Sequence, residues 1–246
     1  SKHAAFTYDQ GYRVMIYTKE MHPDNIFLRI SACLAGLPYQ DLRTGKLSDE
    51  ARQRLYLLRD MQKEIQASDD MVCLSGSDAP GGNDTVPWLQ SKVEKYKPDI
   101  VFIDGVYLMR NHRSRKTQKD NERVRDISRD LRQMVLDLRT PVVATIQANR
   151  EAAKHQDANL DEVAFSDAVG QDATVVIRVI NEKSPPPIAL IRGGSREFEL
   201  HGLRIHAEPA TNFNEIDAMT EKEISKAKEK DTSEEEGDKG KKKKAE

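Results

Sequence analysis

Asp99-Ile100-Val101-Phe102-Ile103-Asp104 is the stretch on which the fold turns. Four β-branched or aromatic residues in succession make a strand covered on both faces, as parallel strands are, and this one ends in a carboxylate. Open α/β sheets take their ligands at the carboxyl ends of such strands. Asp104 is therefore a candidate to hold Mg²⁺ over nucleotide phosphates. An apolar strand ending in Asp is common and by itself is more often structural, so the other strands decide the matter.

Comparable runs occur at Val14-Met15-Ile16-Tyr17, Met71-Val72-Cys73-Leu74 and Val142-Val143-Ala144-Thr145-Ile146, with helical stretches between them. This alternation predicts an α/β fold with crossover connections and a mostly parallel sheet flanked by helices. Thr174 to Val179, Ile188 to Ile191 and Leu203 to His206 follow one another closely and predict antiparallel edge strands near the C-terminus. Pro23 suits the first turn of a helix reaching about Ala35. Ser48-Asp49-Glu50 opens another to about Ala67, and Asn121 to Leu138 reads as an amphipathic helix. Lys2 to Phe6 reads as the end of a helix. From Thr220 the chain turns to Lys, Glu, Asp and Ser, ending in Lys241-Lys242-Lys243-Lys244. The expected organisation is a core over residues 1–215 and a charged, disordered tail over 216–246.

Composition narrows the classes. With 37% hydrophobic residues in 246, one sizeable core is affordable. Against 41 acidic residues stand 39 basic ones, a formal charge of −2, so affinity for nucleic acid must come from a local basic patch. Cys33 and Cys73 sit in apolar surroundings and read as small buried thiols of a reducing compartment. Neither has a Cys or His partner at zinc spacing, and the six histidines are scattered. No apolar run approaches the roughly eighteen residues of a membrane span, and no secretory signal opens the chain. A cytoplasmic protein without membrane contact is expected.

Polar residues at the strand ends carry the chemistry. Glu20 follows the first strand and is a candidate general base, or water-orienting group, for attack on a terminal phosphate. Arg29 lies nine residues on, along the ensuing helix. Gln147 ends the strand that begins at Val142 and can sense a γ-phosphate by hydrogen bonding. After the Asp104 strand, Arg110-Asn111-His112-Arg113-Ser114-Arg115-Lys116-Thr117-Gln118-Lys119 carries five basic side chains in ten residues: Arg110, Arg113, Arg115, Lys116 and Lys119. Composition alone divides evenly between a solvated loop and a DNA contact; its position after the Asp104 strand favours single-stranded DNA, bound through phosphates with little sequence preference. Gly81-Gly82-Asn83-Asp84 reads as a flexible surface turn, and Trp88 as a residue packing a helix. No Gly-x-x-x-x-Gly-Lys-Ser/Thr occurs in the sequence, so the phosphate loop either precedes Ser1 or was never part of the domain.

Several of these segments resemble DnaB-type replicative helicases. Val14 to Met21 is similar to the strand and Glu-Met that follow the family's phosphate loop. Arg43-Thr44-Gly45-Lys46-Leu47 matches next. Phe102-Ile103-Asp104-Gly105-Val106-Tyr107-Leu108-Met109 is similar to the family's Ile-Asp-Tyr-Leu-Gln-Leu-Met. Pro141 to Arg150 and Gly170-Gln171-Asp172-Ala173 follow in family order. The resemblance runs from about residue 4 to residue 207.

It implies a RecA-like ATPase domain, missing its first strand and phosphate loop, that uses ATP and Mg²⁺ and assembles as a ring hexamer around single-stranded DNA. A primase or a helicase loader would be a further partner. By resemblance, Glu20 matches the catalytic glutamate, Arg29 the arginine beyond it, Asp104 the metal-associated aspartate and Gln147 the sensor glutamine. In Ile191-Arg192-Gly193-Gly194-Ser195-Arg196-Glu197, Arg196 falls at the family's trans-acting arginine and Gly194 at its lysine, whose charge toward the nucleotide Arg192 would replace. The family's second DNA loop carries an arginine where this chain reads Ala164-Phe165-Ser166-Asp167. The function implied is ATP-driven DNA unwinding, with weak or absent activity in the chain as it stands. A RecA-like recombinase or mediator ATPase, or a non-catalytic DNA-binding or assembly module on the same fold, are the rivals.

Overall fold

Val14–Thr18 forms β1, buried along its whole length, with parallel neighbours on both sides. In this computed structural model, which describes residues 1–68, 70–113, 118–146, 166–181, 188–195, 203–207 and 213–218, β2 (Met71–Ser75) lies on one side of β1. On the other lies β3 (Ile100–Asp104), and β4 (Val142–Ala144) adds to the far edge of β3, giving the order β2-β1-β3-β4. The chain passes from β1 to β2 on one side and then crosses to β3 on the other. The carboxyl ends of β1 and β3 therefore flank a topological switch point, where open α/β sheets form their ligand crevice.

The alternation of side chains explains the layers. Met15 and Tyr17 of β1, with Val101 and Ile103 of β3, enter one core cluster with Val86, Leu89 and Val93 of α5 (Val86–Tyr96) and Ile127, Leu131 and Met134 of α6 (Asp120–Leu138). Val14 and Ile16 enter a second cluster, with Ala4 and Ala5 of α1 (Lys2–Asp9) and Ile26 and Ile30 of α2 (Pro23–Ala35); Ile100 and Phe102 pack against it. Period-two side chains thus bury both faces of the sheet, which is why these strands read as continuous apolar runs. In α6 the buried positions Val124, Ile127, Leu131 and Met134 recur at helical spacing. The sequence boundaries of α2 and α6 hold to within a residue.

Local signals fix the helix ends. His22 caps α2, its Nδ1 accepting from the Asp24 N–H at 3.3 Å, and Pro23 takes the first turn. Gly36 closes it in the left-handed region at φ 62°. α3 (Tyr39–Thr44) and α4 (Asp49–Ser68) follow. Trp88 packs as expected: its ring meets Tyr17 edge-on at 5.7 Å. Cys33 and Cys73 are unbridged and half-buried, and burial pushes the Cys73 thiol up to about 12. No described helix is long and apolar enough to cross a membrane.

The chain divides into two compact units, and the second holds α7 (Ser166–Asp172) and the antiparallel strands. β5 (Val175–Asn181), β6 (Ile188–Ser195), β7 (Leu203–Ala207) and β8 (Phe213–Ala218) pair in that order as a four-stranded sheet of their own. The three expected antiparallel strands are present, but among the described residues they pair with one another and with β8 instead of extending the edge of the parallel sheet; β8, whose large apolar residues Phe213 and Ile216 stand three apart, has too weak an alternation to be read.

At the amino ends of the strands Arg13 and Asp99 tie β1 to β3. The Arg13 N–H donates to Asp99 Oδ2 at 2.8 Å, and its guanidinium reaches Oδ1 at 3.1 Å. These hydrogen bonds hold the Asp99 carboxyl below its ordinary range. A depressed carboxyl contributes stability that is complete above the unfolded pKa of about 4 and is lost as pH falls through the folded value. Replacing Asp99 with Asn is therefore expected to lower the unfolding midpoint at pH 7 and to flatten the loss of stability below pH ~4, measured by urea unfolding across pH. The effect is small, because both side chains are more than a third exposed.

Candidate active site

Thr18, the last residue of β1, is fully buried and stands beside Asp104 in the β1–β3 register. Its hydroxyl accepts the Met21 N–H and lies equally close to the Met21 carbonyl, both at 3.2 Å. The clasp closes Lys19-Glu20 into a tight turn just beyond the strand. The Lys19 N–H continues the ladder by donating to the Asp104 carbonyl at 3.3 Å. Glu20 is thereby presented, exposed, at the crevice between β1 and β3.

Asp104 is half-buried at the other lip. Its Oδ1 accepts from the Thr145 hydroxyl at 3.1 Å, and the same hydroxyl accepts the Gly105 N–H at 3.0 Å. The residue after β4 thus orients the carboxylate at the end of β3. Gly105 turns the chain at φ 87°, and a Cβ there would stand 3.1 Å from Glu20 Cγ. The absent side chain is what lets Glu20 lie over this turn. The Tyr107 hydroxyl donates to Glu20 Oε1.

Ser1, at the start of α1, lies near Asp104 at the same edge of the sheet. Mg²⁺ in nucleotide sites is held by one or two carboxylates together with substrate phosphates and water. Asp104, oriented by Thr145, fits this donor set, although no group of three or more metal-ligating side chains occurs among the described residues.

The other expected residues divide. Arg29 is exposed on α2, its guanidinium 4.9 Å from the centre of the Tyr39 ring. Arg192 lies on β6 opposite Ile177 of β5. Gln147, Arg196, Arg115 and Lys116 lie outside the described residues, as does most of 216–246. Within the basic segment, Arg110 pairs with Asp84 (Nε to Oδ1, 3.7 Å), Arg113 pairs with Asp130, and Lys119 is exposed immediately before α6. Two of the expected DNA contacts thus already have acidic partners on their own fold.

Asp84 corrects the reading of 81–84 as a surface turn. Pro80–Gly82 is a short 3₁₀ turn, but Asp84 is fully buried. Its Oδ2 accepts from the Tyr17 hydroxyl and from Lys19 Nζ, the latter at 2.6 Å, and its backbone carbonyl accepts the Arg110 N–H at 3.3 Å. Burial, then the bond to Asp84, pushes the Tyr17 phenol well above its ordinary range. One acid therefore ties the Lys19-Glu20 turn to the start of the basic segment. Asp84 was missed because short polar residues beside glycines carry the ordinary signal of a solvated loop; Thr145, Tyr107 and Lys19 were missed because their partners lie 41, 87 and 65 residues away in the sequence.

A family model described as DnaB-like helicase C terminal domain matches residues 1–187. The chain is 26% identical over 183 residues to the replicative DNA helicase DnaB of Helicobacter pylori, covering 71% of this chain and 34% of that protein. To the replicative DNA helicase DnaB of Mycobacterium intracellulare it is 28% identical over 194 residues, covering 76% and 31%. The chain spans about a third of the length of these relatives. It superposes with a TM-score of 0.70 on a DnaB-like replicative helicase studied with its primase, at 19% identity over 85% of this chain and 52% of that one. A second solved structure, of an ATPase domain, gives 0.72, at 19% identity over 87% and 78%. At such identity these two likenesses speak to the fold alone, and they bear out the RecA-like α/β arrangement.

Removing the Asp84 carboxylate by Asp84→Ala leaves a buried phenol and a largely buried ammonium without their partner. A loss of about 2–4 kcal/mol is expected, read as a lower urea midpoint, with Asp84→Asn between the variant and the wild type.

Proposed function

Because the chain belongs to the DnaB-like helicase C-terminal domain family, we propose that it is the ATP-hydrolysing motor of a ring-shaped hexameric helicase that unwinds DNA. The observation that carries this reading is the pair of carboxylates, Glu20 and Asp104, delivered by adjacent parallel strands to the switch-point crevice.

Glu20 accepts the proton of the water that attacks the terminal phosphate of ATP. It is exposed and held on a turn, so water reaches it. Asp104, oriented by Thr145, would hold Mg²⁺, whose charge would there offset that of the phosphates. Gln147, three residues beyond β4 in the sequence, senses the γ-phosphate, and Arg29 supports this edge from α2. Arg196 enters the neighbouring subunit's site, with Arg192 supplying the positive charge that Gly194 lacks. An arginine acting in trans makes hydrolysis depend on assembly.

The segment Arg110 to Lys119 grips single-stranded DNA by its phosphates, including through Arg113, Arg115 and Lys116. Such contacts carry no sequence preference, as translocation requires. Since Asp84 and Asp130 already neutralise part of Arg110 and Arg113, binding DNA means exchanging an internal carboxylate for a phosphate. A primase or a loader is the expected protein partner, as for the structural neighbour studied with its primase.

The test is ATP turnover by the full-length protein with and without single-stranded DNA. Wild type is expected to be stimulated by DNA, and Glu20→Gln to lose about 10²–10⁴-fold in turnover while still binding nucleotide. Retained turnover in Glu20→Gln would refute the assignment. Mixing Glu20→Gln with Arg196→Ala subunits is expected to restore part of the turnover that each lacks alone, because some interfaces then combine an intact Glu20 with an intact Arg196; no recovery in mixed rings would refute action in trans.

A further inference from the structure

Glu20 is held over the turn Asp104-Gly105-Val106-Tyr107 by two features of that turn. Gly105 removes the side chain that would stand in the way: a Cβ at that position would be 3.1 Å from Glu20 Cγ and 3.3 Å from Oε1, closer than ordinary packing permits. Tyr107 then supplies a hydroxyl that donates to that same Oε1. Gly105 makes room for the carboxylate, and Tyr107 fastens it there.

We propose that Tyr107 is a positioning residue that restrains Glu20, holding its carboxylate over Gly105 until DNA engages the adjoining basic segment. The inference rests on Glu20 being the proton acceptor, as argued above. The phenol's hydrogen bond occupies Oε1 and fixes the carboxylate over Gly105, so that only its second oxygen is open to the attacking water. The Tyr107–Glu20 contact is well placed to respond to DNA. Arg110 is held by Asp84 through its backbone N–H at 3.3 Å and its guanidinium at 3.7 Å, and the Asp84 carboxylate also holds Lys19, the neighbour of Glu20, at 2.6 Å. A phosphate that draws Arg110 from Asp84 shifts the acid that fixes the Lys19-Glu20 turn, and Glu20 leaves the Tyr107 hydroxyl. The phenol remains a donor at all working pH values: desolvation, then the bond and charge of Glu20, push it up to about 12.

Two readouts on the full-length protein test this. The first needs neither nucleotide nor turnover. Tetranitromethane attacks the phenolate form of tyrosine, so nitration at Tyr107, followed by peptide mass spectrometry against the exposed Tyr12 as internal reference, should be slow in wild type. It should rise several-fold in Glu20→Gln, which removes the charge that keeps the phenol protonated. The second is the ratio of DNA-saturated to DNA-free ATP turnover. Tyr107→Phe should raise the DNA-free rate several-fold and leave the DNA-saturated rate within about twofold, collapsing the ratio. Tyr107→Gln, which restores a donor, should recover part of it, and Gly105→Ala, which crowds Glu20, should resemble Tyr107→Phe. An unchanged ratio in Tyr107→Phe, equal loss of both rates, or nitration indifferent to Glu20→Gln would each overturn the proposal. Absence of turnover in wild type would instead strike the motor reading, and nitration would then decide the Tyr107–Glu20 contact by itself.

Discussion

Parallel pairing of β1 with β3, in the register that sets Thr18 beside Asp104, is the constraint on which the rest of the structure depends. Because side chains alternate, a slip of one residue would turn Met15 and Tyr17 out of the α5–α6 core and drive Val14 and Ile16 into it. Both faces are buried, so the register has no solvent-exposed alternative. The same register fixes how far each strand runs before it ends, and so the relative heights of Glu20 and Asp104. Packing that is indifferent to chemistry thereby brings two carboxylates to one crevice.

Around that crevice the polar network is denser than stability alone requires. Asp84 is wholly buried, one of its oxygens receives both Tyr17 and Lys19, and the other lies 3.7 Å from Arg110. Taking a carboxylate out of water is costly, and an apolar residue of similar volume would often serve a core as well. What the acid provides is a link: β1, the Glu20 turn and the start of the basic segment all hang on it. Thr145 performs a similar office on the β3 side, bridging Gly105 and Asp104. The two networks leave the site's carboxylates at the surface while their backbones are fixed from below.

How much of this was legible in the sequence follows from which signals are local. The four parallel strands announce themselves because a doubly covered strand must be apolar throughout, and α2 and α6 because caps and periodicity lie within a few residues of each other. The position of Glu20 and Asp104 at neighbouring strand ends could be read, since the strands themselves could be read. Asp84 could not, because a buried acid is identified by partners 67 and 65 residues away, and its own neighbours, two glycines and an asparagine, have the composition of a solvated turn. Tyr107 was hidden for a related reason: its hydrogen bond spans 87 residues of sequence and depends on the space left by Gly105. β8 escaped because Phe213 and Ile216, three apart, give no period-two alternation.

The central claim is that the β1 and β3 carboxylates form one nucleotide site in which Asp104 serves the metal. Its most direct test is the Mg²⁺ dependence of ATP-analogue binding by the full-length protein, compared between wild type and Asp104→Asn by calorimetry. The account predicts that Mg²⁺ tightens binding in wild type by about tenfold or more, equivalent to about 1.4 kcal/mol, and has little effect in the variant. The same Mg²⁺ dependence in both proteins would contradict it.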